Sequence, residues 1–147
     1  MEKLLISSCL LGISSRYDGK RKAVFSESDI AALTKKYELV PFCPEIYGGL
    51  PTPRVPSEII GDKVIMKDGT DVTENYNKGA TEALYLCKLL GIKKALLKER
   101  SPSCGVGKVY NGAFDGTLRD GNGVTAELLL GAGIELFRES DIDKLLK

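Results

Sequence analysis

Cys9, Cys43 and Cys104 lie in three separate stretches of the chain, and glycines follow each: Gly12, then Gly48 and Gly49, then Gly105 and Gly107. Thiolates are soft ligands that select iron-sulfur clusters, zinc and Cu(I). The chain contains no histidine. No Ser-His or Cys-His catalytic pair can form, zinc sites of the mixed Cys/His type are excluded, and proton transfer near neutral pH falls to carboxylates, lysines, tyrosines, serines or bound water. A converging thiolate triad in such a chain points to an iron-sulfur cluster ahead of zinc or Cu(I). A four-iron cluster on three cysteines keeps one iron free of protein ligands, and an open position marks a catalytic metal site. The three form no compact C-x-x-C motif, and any one cysteine alone reads equally well as a buried small hydrophobe. Cys87, mid-helix between Leu86 and Lys88, takes that reading and is assigned no chemistry. The flanking glycines would let main-chain amides face a sulfur-rich anion.

The rest of the composition narrows the setting. With 147 residues, 43% apolar and 28% charged, the chain is expected to form one domain, 1–147, with a core of its own. Its 21 basic and 20 acidic side chains nearly cancel. No global field draws it to nucleic acid or a membrane, so no stable nucleic-acid complex and no membrane partner are expected. Leu4-Leu5-Ile6 is too short for a signal-peptide core or a span, which places the protein in the cytoplasm. There, four cysteines are free thiols, ligands or catalytic groups rather than a disulfide framework. Monomer and homodimer are both left open.

The elements that must position the cysteines alternate. Lys3–Ser7 reads as a strand, Ser26–Lys36 as a capped helix, Leu39–Cys43 as a second strand and Lys94–Leu97 as a third. Glu58–Ile60 and Val64–Met66 around Gly61-Asp62-Lys63 predict a β-hairpin excursion. Asp71–Leu90 carries Val72, Tyr76, Ala80, Ala83, Leu84 and Leu90 on one helical face, opens on Asp71 and Thr73 and stops at Gly91. Val124–Leu130 predicts a helix, Ile134–Phe137 a last strand and Asp141–Lys147 a terminal helix. The alternation predicts a three-layer α/β/α, Rossmann-like single domain with a mostly parallel sheet. All three candidate ligands then fall at strand C-termini, where open parallel sheets bind ligands. Gly48-Gly49 and Gly105-Val106-Gly107 match no Walker or dinucleotide fingerprint.

Ser8-Cys9-Leu10-Leu11-Gly12, Arg16-Tyr17-Asp18-Gly19, Cys43-Pro44-Glu45, Gly48-Gly49-Leu50-Pro51-Thr52-Pro53-Arg54, Asp71-Val72-Thr73 and Lys98-Glu99-Arg100-Ser101-Pro102-Ser103-Cys104-Gly105 together resemble the thiouracil desulfidase family. Gly112-Ala113-Phe114 and Asp120–Ala126 extend the resemblance over essentially the whole chain. It implies a 4Fe-4S cluster on Cys9, Cys43 and Cys104, whose fourth iron takes the thiocarbonyl sulfur of 4-thiouracil or a related thiolated nucleoside or nucleotide. Water replaces sulfur at the ring carbon in a non-redox desulfuration that yields uracil or uridine and sulfide. Carried over residue by residue, Glu45 is the acid/base that activates the water and Ser101 the proton donor or relay with Ser103 its close competitor; Ser103, and Ser8 by its place beside Cys9, could hold substrate. Either serine of the Ser101-Pro102-Ser103 stretch also fits a turn role. Arg16, Arg54, Lys98 and Arg100 could meet a ribose phosphate or serve only as solvated or ion-paired loop residues. The competing reading is a non-catalytic iron-sulfur or electron-transfer module, which would need Cys87 as a fourth ligand.

Overall fold

The computed structural model describes all of residues 1–147. The chain runs β1 (Glu2–Ser7), α1 (Glu27–Lys36), β2 (Tyr37–Phe42), α2 (Pro44–Tyr47), β3 (Ser57–Ile60), β4 (Lys63–Met66), α3 (Thr73–Leu90), β5 (Lys94–Leu97), β6 (Lys108–Tyr110), β7 (Leu118–Asp120), α4 (Val124–Gly131), β8 (Glu135–Arg138) and α5 (Ile142–Leu146), with 3-10 turns at Ser8–Leu11 and Glu139–Asp141.

Alternation along the short central strands builds two cores. Leu4 and Ile6 of β1 and Leu96 of β5 point to one face, where Phe25, Leu33 of α1 and Leu145 of α5 cover them. Leu5 of β1 with Ala95 and Leu97 of β5 point to the other, under Ala83 and Cys87 of α3 and Ala126 and Leu129 of α4. A sheet apolar on both faces must be covered on both, hence three layers. The four strands are all parallel in the order β2-β1-β5-β8. The chain leaves β1 for one side and returns on the other, so the order reverses between β1 and β5. A crevice opens at that reversal outside the strand C-termini.

Local signals explain the element ends. Ser26 and Asp29 form a reciprocal capping box at the start of α1 (3.1 and 3.3 Å). Asp71 accepts the Thr73 amide at 2.9 Å ahead of α3, and Thr73 Oγ1 accepts the Val64 amide at 2.9 Å, pinning the β3–β4 hairpin to the helix start. Gly91 closes α3 in the left-handed conformation, φ 68°. Several expected bounds shift by one or two residues, and the last strand is Glu135–Arg138. Leu90, expected on the buried face of α3, is 38% exposed, at the last residue of the helix before the Gly91 cap. A second antiparallel hairpin, β6–β7, was not expected at all. No helix is long and apolar enough to cross a membrane.

Candidate active site

Three of the four strands that end at this edge, β1, β2 and β5, are each followed by a cysteine. Cys9 sits in the 3-10 turn that continues β1, Cys43 is the residue before α2, and Cys104 lies in the turn after β5. All three line one cleft of about 780 Å³, together with Ser8, Glu45, Ser101 and Ser103. Cys104 is 4% exposed, while Cys9 and Cys43 are half-buried. Cys87 stays in the core between α3 and the sheet, 1% exposed and away from the cleft. No fourth cysteine reaches the site.

The Cys104 turn is laced from within. Ser101 Oγ accepts the amides of Ser103 and Cys104, both at 3.1 Å, and lies 3.0 Å from Ser103 Oγ. Ser103 Oγ donates to Cys104 Sγ at 3.5 Å. From outside, the Pro102 and Ser103 carbonyls accept the first amides of α4, those of Val124, Thr125 and Ala126. A Cβ at Gly123 would stand 2.5 Å from the Ser103 carbonyl, so only glycine lets helix and turn meet. Ser8 Oγ is paired with Ser15 Oγ at 2.6 Å, tying the Cys9 turn to the loop over the cleft.

Glu45 rides on α2, a one-turn helix that could not hold a side chain in place alone. Two glycines dock it. Cβ atoms at Gly79 and Gly48 would lie 1.9 Å from the Pro44 carbonyl oxygen and 2.1 Å from the Asn75 carbonyl oxygen. Backbone contact at those points seats α2 directly on α3. The Glu45 carboxylate is then gripped at both oxygens, Oε1 by the Tyr76 hydroxyl of α3 and Oε2 by the Arg54 guanidinium. Arg54 also donates to the Ser15 carbonyl at 3.0 Å and to Thr52 Oγ1 at 3.0 Å. Burial works against the Arg54 charge, but the Glu45 carboxylate more than offsets it and holds the guanidinium further into its protonated range. Burial first, and then Glu45, drive the Tyr76 phenol far above its usual pKa, leaving it a hydrogen-bond donor at any working pH.

The five glycines expected to offer amides to an anion do not. The amides of Gly12, Gly48, Gly49 and Gly105 are bonded to Cys9, Pro44, Ile46 and Ser101 carbonyls, and that of Gly107 to Asn122 Oδ1 at 2.8 Å. Their work is steric, in turns and close backbone approaches. Of the four basic residues singled out in the sequence, Arg54 is committed to Glu45, Lys98 to Glu139 at 2.6 Å and Arg16 to Asp18 at 3.3 Å. Tyr76 and the pairing of Arg54 with Glu45 were missed in the sequence. A tyrosine on the buried stripe of a helix was the available signal, because a buried phenol needs a partner.

The thiols suit ligation better than nucleophilic or redox chemistry of their own. Burial, then the neighbouring Cys43 sulfur, pushes Cys9 up to about 11, and burial pushes Cys104 up to about 12 and raises Cys43. Reactive cysteines are shifted the other way. These thiols lose their protons when a metal takes the proton's place. No three Cys, Asp or Glu side chains are drawn together tightly enough to chelate one ion. Three thiols that share one cleft without closing on a single point suit a polynuclear group rather than a single ion.

The family model described as 2-thiouracil desulfurase matches residues 4–141. The chain belongs to the 2-thiouracil desulfurase family. Among family relatives, the Bacillus subtilis (strain 168) protein described as "Uncharacterized protein YbbK" is 41% identical over 153 residues, spanning 97% of this chain and 99% of its own length. A solved structure described as 4Fe-4S-dependent thiouracil desulfidase TudS is 47% identical and superposes with a TM-score of 0.92 over 99% of this chain and 95% of that one. The three-layer fold and its parallel sheet are therefore those of a desulfurase.

Proposed function

We propose that this chain is a 4Fe-4S-dependent thiouracil desulfidase that converts a thiolated pyrimidine and water to the oxo-pyrimidine and sulfide, with no electrons exchanged. One observation carries the reading. Three thiols from three strand ends open into the same cleft as a doubly held glutamate, in a chain 47% identical to the TudS desulfidase. Cys9, Cys43 and Cys104 would hold the cluster. When bound, a cluster on three protein thiolates supplies an open iron as a Lewis acid for the thiocarbonyl sulfur.

The chain's own groups handle protons and position. Glu45 takes a proton from the water that attacks the thiocarbonyl carbon, and Tyr76 and Arg54 hold the carboxylate so that the attack direction is set before substrate arrives. Ser101 Oγ already accepts two amide hydrogens, which polarises its hydroxyl, and its proton would turn from the Ser103 contact to the ring or the departing sulfur. Ser103 and Ser8 border the same space and contact the base. 4-Thiouracil, as free base, nucleoside or nucleotide, is the substrate assigned, and 2-thiouracil is the comparison that decides which ring position is attacked. Four unpaired cysteines suit a reducing cytoplasm.

Anaerobic purification followed by iron and acid-labile sulfide analysis tests the cofactor, with about four irons per chain expected. Loss of the near-ultraviolet absorbance of 4-thiouracil tests the reaction. Glu45→Gln should keep the iron and lose turnover. A protein that takes up no iron, or takes it up and leaves both thiouracils intact, overturns the reading.

A further inference from the structure

The β6–β7 hairpin and its connecting loop, residues 111–117, are absorbed by none of the roles above, yet Tyr110, Phe114 and Gly116 line the cleft. A buried carboxylate holds this loop. Glu58 of β3 is 8% exposed, and its Oε1 accepts the amides of Gly112 at 2.9 Å and Phe114 at 3.1 Å. Gly112, at φ 95°, presses so closely on β3 that a Cβ there would lie 2.9 Å from Ile60 and 3.1 Å from the Ile59 carbonyl. Phe114 is left at φ 55°, a conformation that bulky residues rarely adopt and keep only where the surroundings enforce it. Asn111 Oδ1 accepting the Ala113 amide at 2.9 Å and Asp115 Oδ1 accepting the Thr117 amide at 3.0 Å fix the turn on either side. So many constraints on one half-exposed aromatic side chain indicate that its placement matters.

That placement is tied to the proton-handling end of the cleft. Ile59, the neighbour of Glu58 on β3, packs in one buried cluster with Tyr76, whose hydroxyl holds Glu45. One short strand thus joins the Glu45 clamp to the Phe114 loop. The polar groups of the cleft can bind the heteroatoms of a base, but a planar ring also needs a flat apolar surface against its face.

Resting on the desulfidase reading, we propose that Phe114 is the specificity residue that stacks on the pyrimidine ring, and that Glu58 is the positioning residue that holds it there. The stacking partner is the ring itself and not its sulfur. Uracil should therefore bind through Phe114 as thiouracil does.

Equilibrium dialysis of radiolabelled uracil against the cluster-loaded protein, with steady-state kinetics on 4-thiouracil in parallel, tests this. Phe114→Ala should weaken uracil binding and raise KM by about tenfold each, the scale of one base–aromatic contact, with kcat little changed. Phe114→Tyr should restore both, and Glu58→Gln, which keeps an acceptor but loses the charge, should fall between. Phe114→Ala protein that binds uracil as tightly as the parent overturns the proposal, as does a tenfold loss that follows Tyr110→Ala instead. A parent protein that binds uracil but leaves thiouracil intact would sink the desulfidase reading while leaving Phe114 in place.

Discussion

On the proposed reading Glu45 handles the proton of the attacking water without a histidine, so its neighbours must hold it in place. Tyr76 does this through one hydrogen bond to Oε1 and Arg54 through a second at Oε2. A hydrogen bond to a charged group is worth about 1.5–3 kcal/mol, and its loss here would let the carboxylate turn away from the water. Tyr76→Phe should therefore lower kcat at least about tenfold, with iron content and KM unchanged. Steady-state kinetics beside iron analysis checks this, and an unaltered kcat would remove Tyr76 from the mechanism. Among the cysteines the expected contrast is between Cys87 and Cys9. Cys87→Ala should keep the iron and lose about 1 kcal/mol of stability through a small core void, whereas Cys9→Ala should fold and bind less iron. Iron analysis and a urea melt on each variant separate the two effects.

At the level of elements, what matters is how closely α2 can lie on α3. Gly79→Ala adds helix propensity to α3, but the new methyl would collide with the Pro44 carbonyl. The clash dominates. The variant should lose about 1–3 kcal/mol in a urea melt and also lose turnover, since Glu45 moves with α2. Ser26→Ala is the control. It removes the α1 cap, about 1 kcal/mol of stability, and should leave turnover intact because α1 carries nothing in the cleft. This contrast also shows what could be read from residue order. The strand ends bearing Cys9, Cys43 and Cys104 were legible because short apolar runs stop abruptly at polar and glycine-rich stretches. The β6–β7 hairpin was not, because its strands are three residues long and too short for alternation to register. Tyr76 was legible only as a core residue, since its partner sits 31 positions earlier and becomes a neighbour through the docking of α2. The same holds for Glu58 and Phe114, 56 positions apart.

For the molecule as a whole, the buried thiols link stability to pH. Cys9 and Cys87 are pushed up to about 11 and Cys104 to about 12, chiefly by burial, while Cys43 is raised as well. In the unfolded chain these thiols would titrate near the ordinary value of about 8.5. Between that value and 11–12 the folded state holds protons that the unfolded state has released, so stability falls as pH rises. The contribution is complete below about pH 8.5. Urea midpoints of the iron-free protein should decline across this window, and replacing all four cysteines with serine should make the decline shallower, the remainder coming above about pH 10 from the buried Tyr76 phenol. A midpoint that rises with pH would contradict the sign.

The lacing of the Cys104 turn onto the first amides of α4 has a consequence for how the protein is made. If Cys104 is the third ligand, as proposed, it would not be in place until the polypeptide has emerged beyond residue 126 and α4 has docked, by which time nearly every element exists. On that reading iron and sulfide would not template this fold during synthesis, as zinc does for a zinc finger. They must be delivered to a finished receptacle, and the cell's supply of clusters rather than its rate of translation would then set how much of the protein is active.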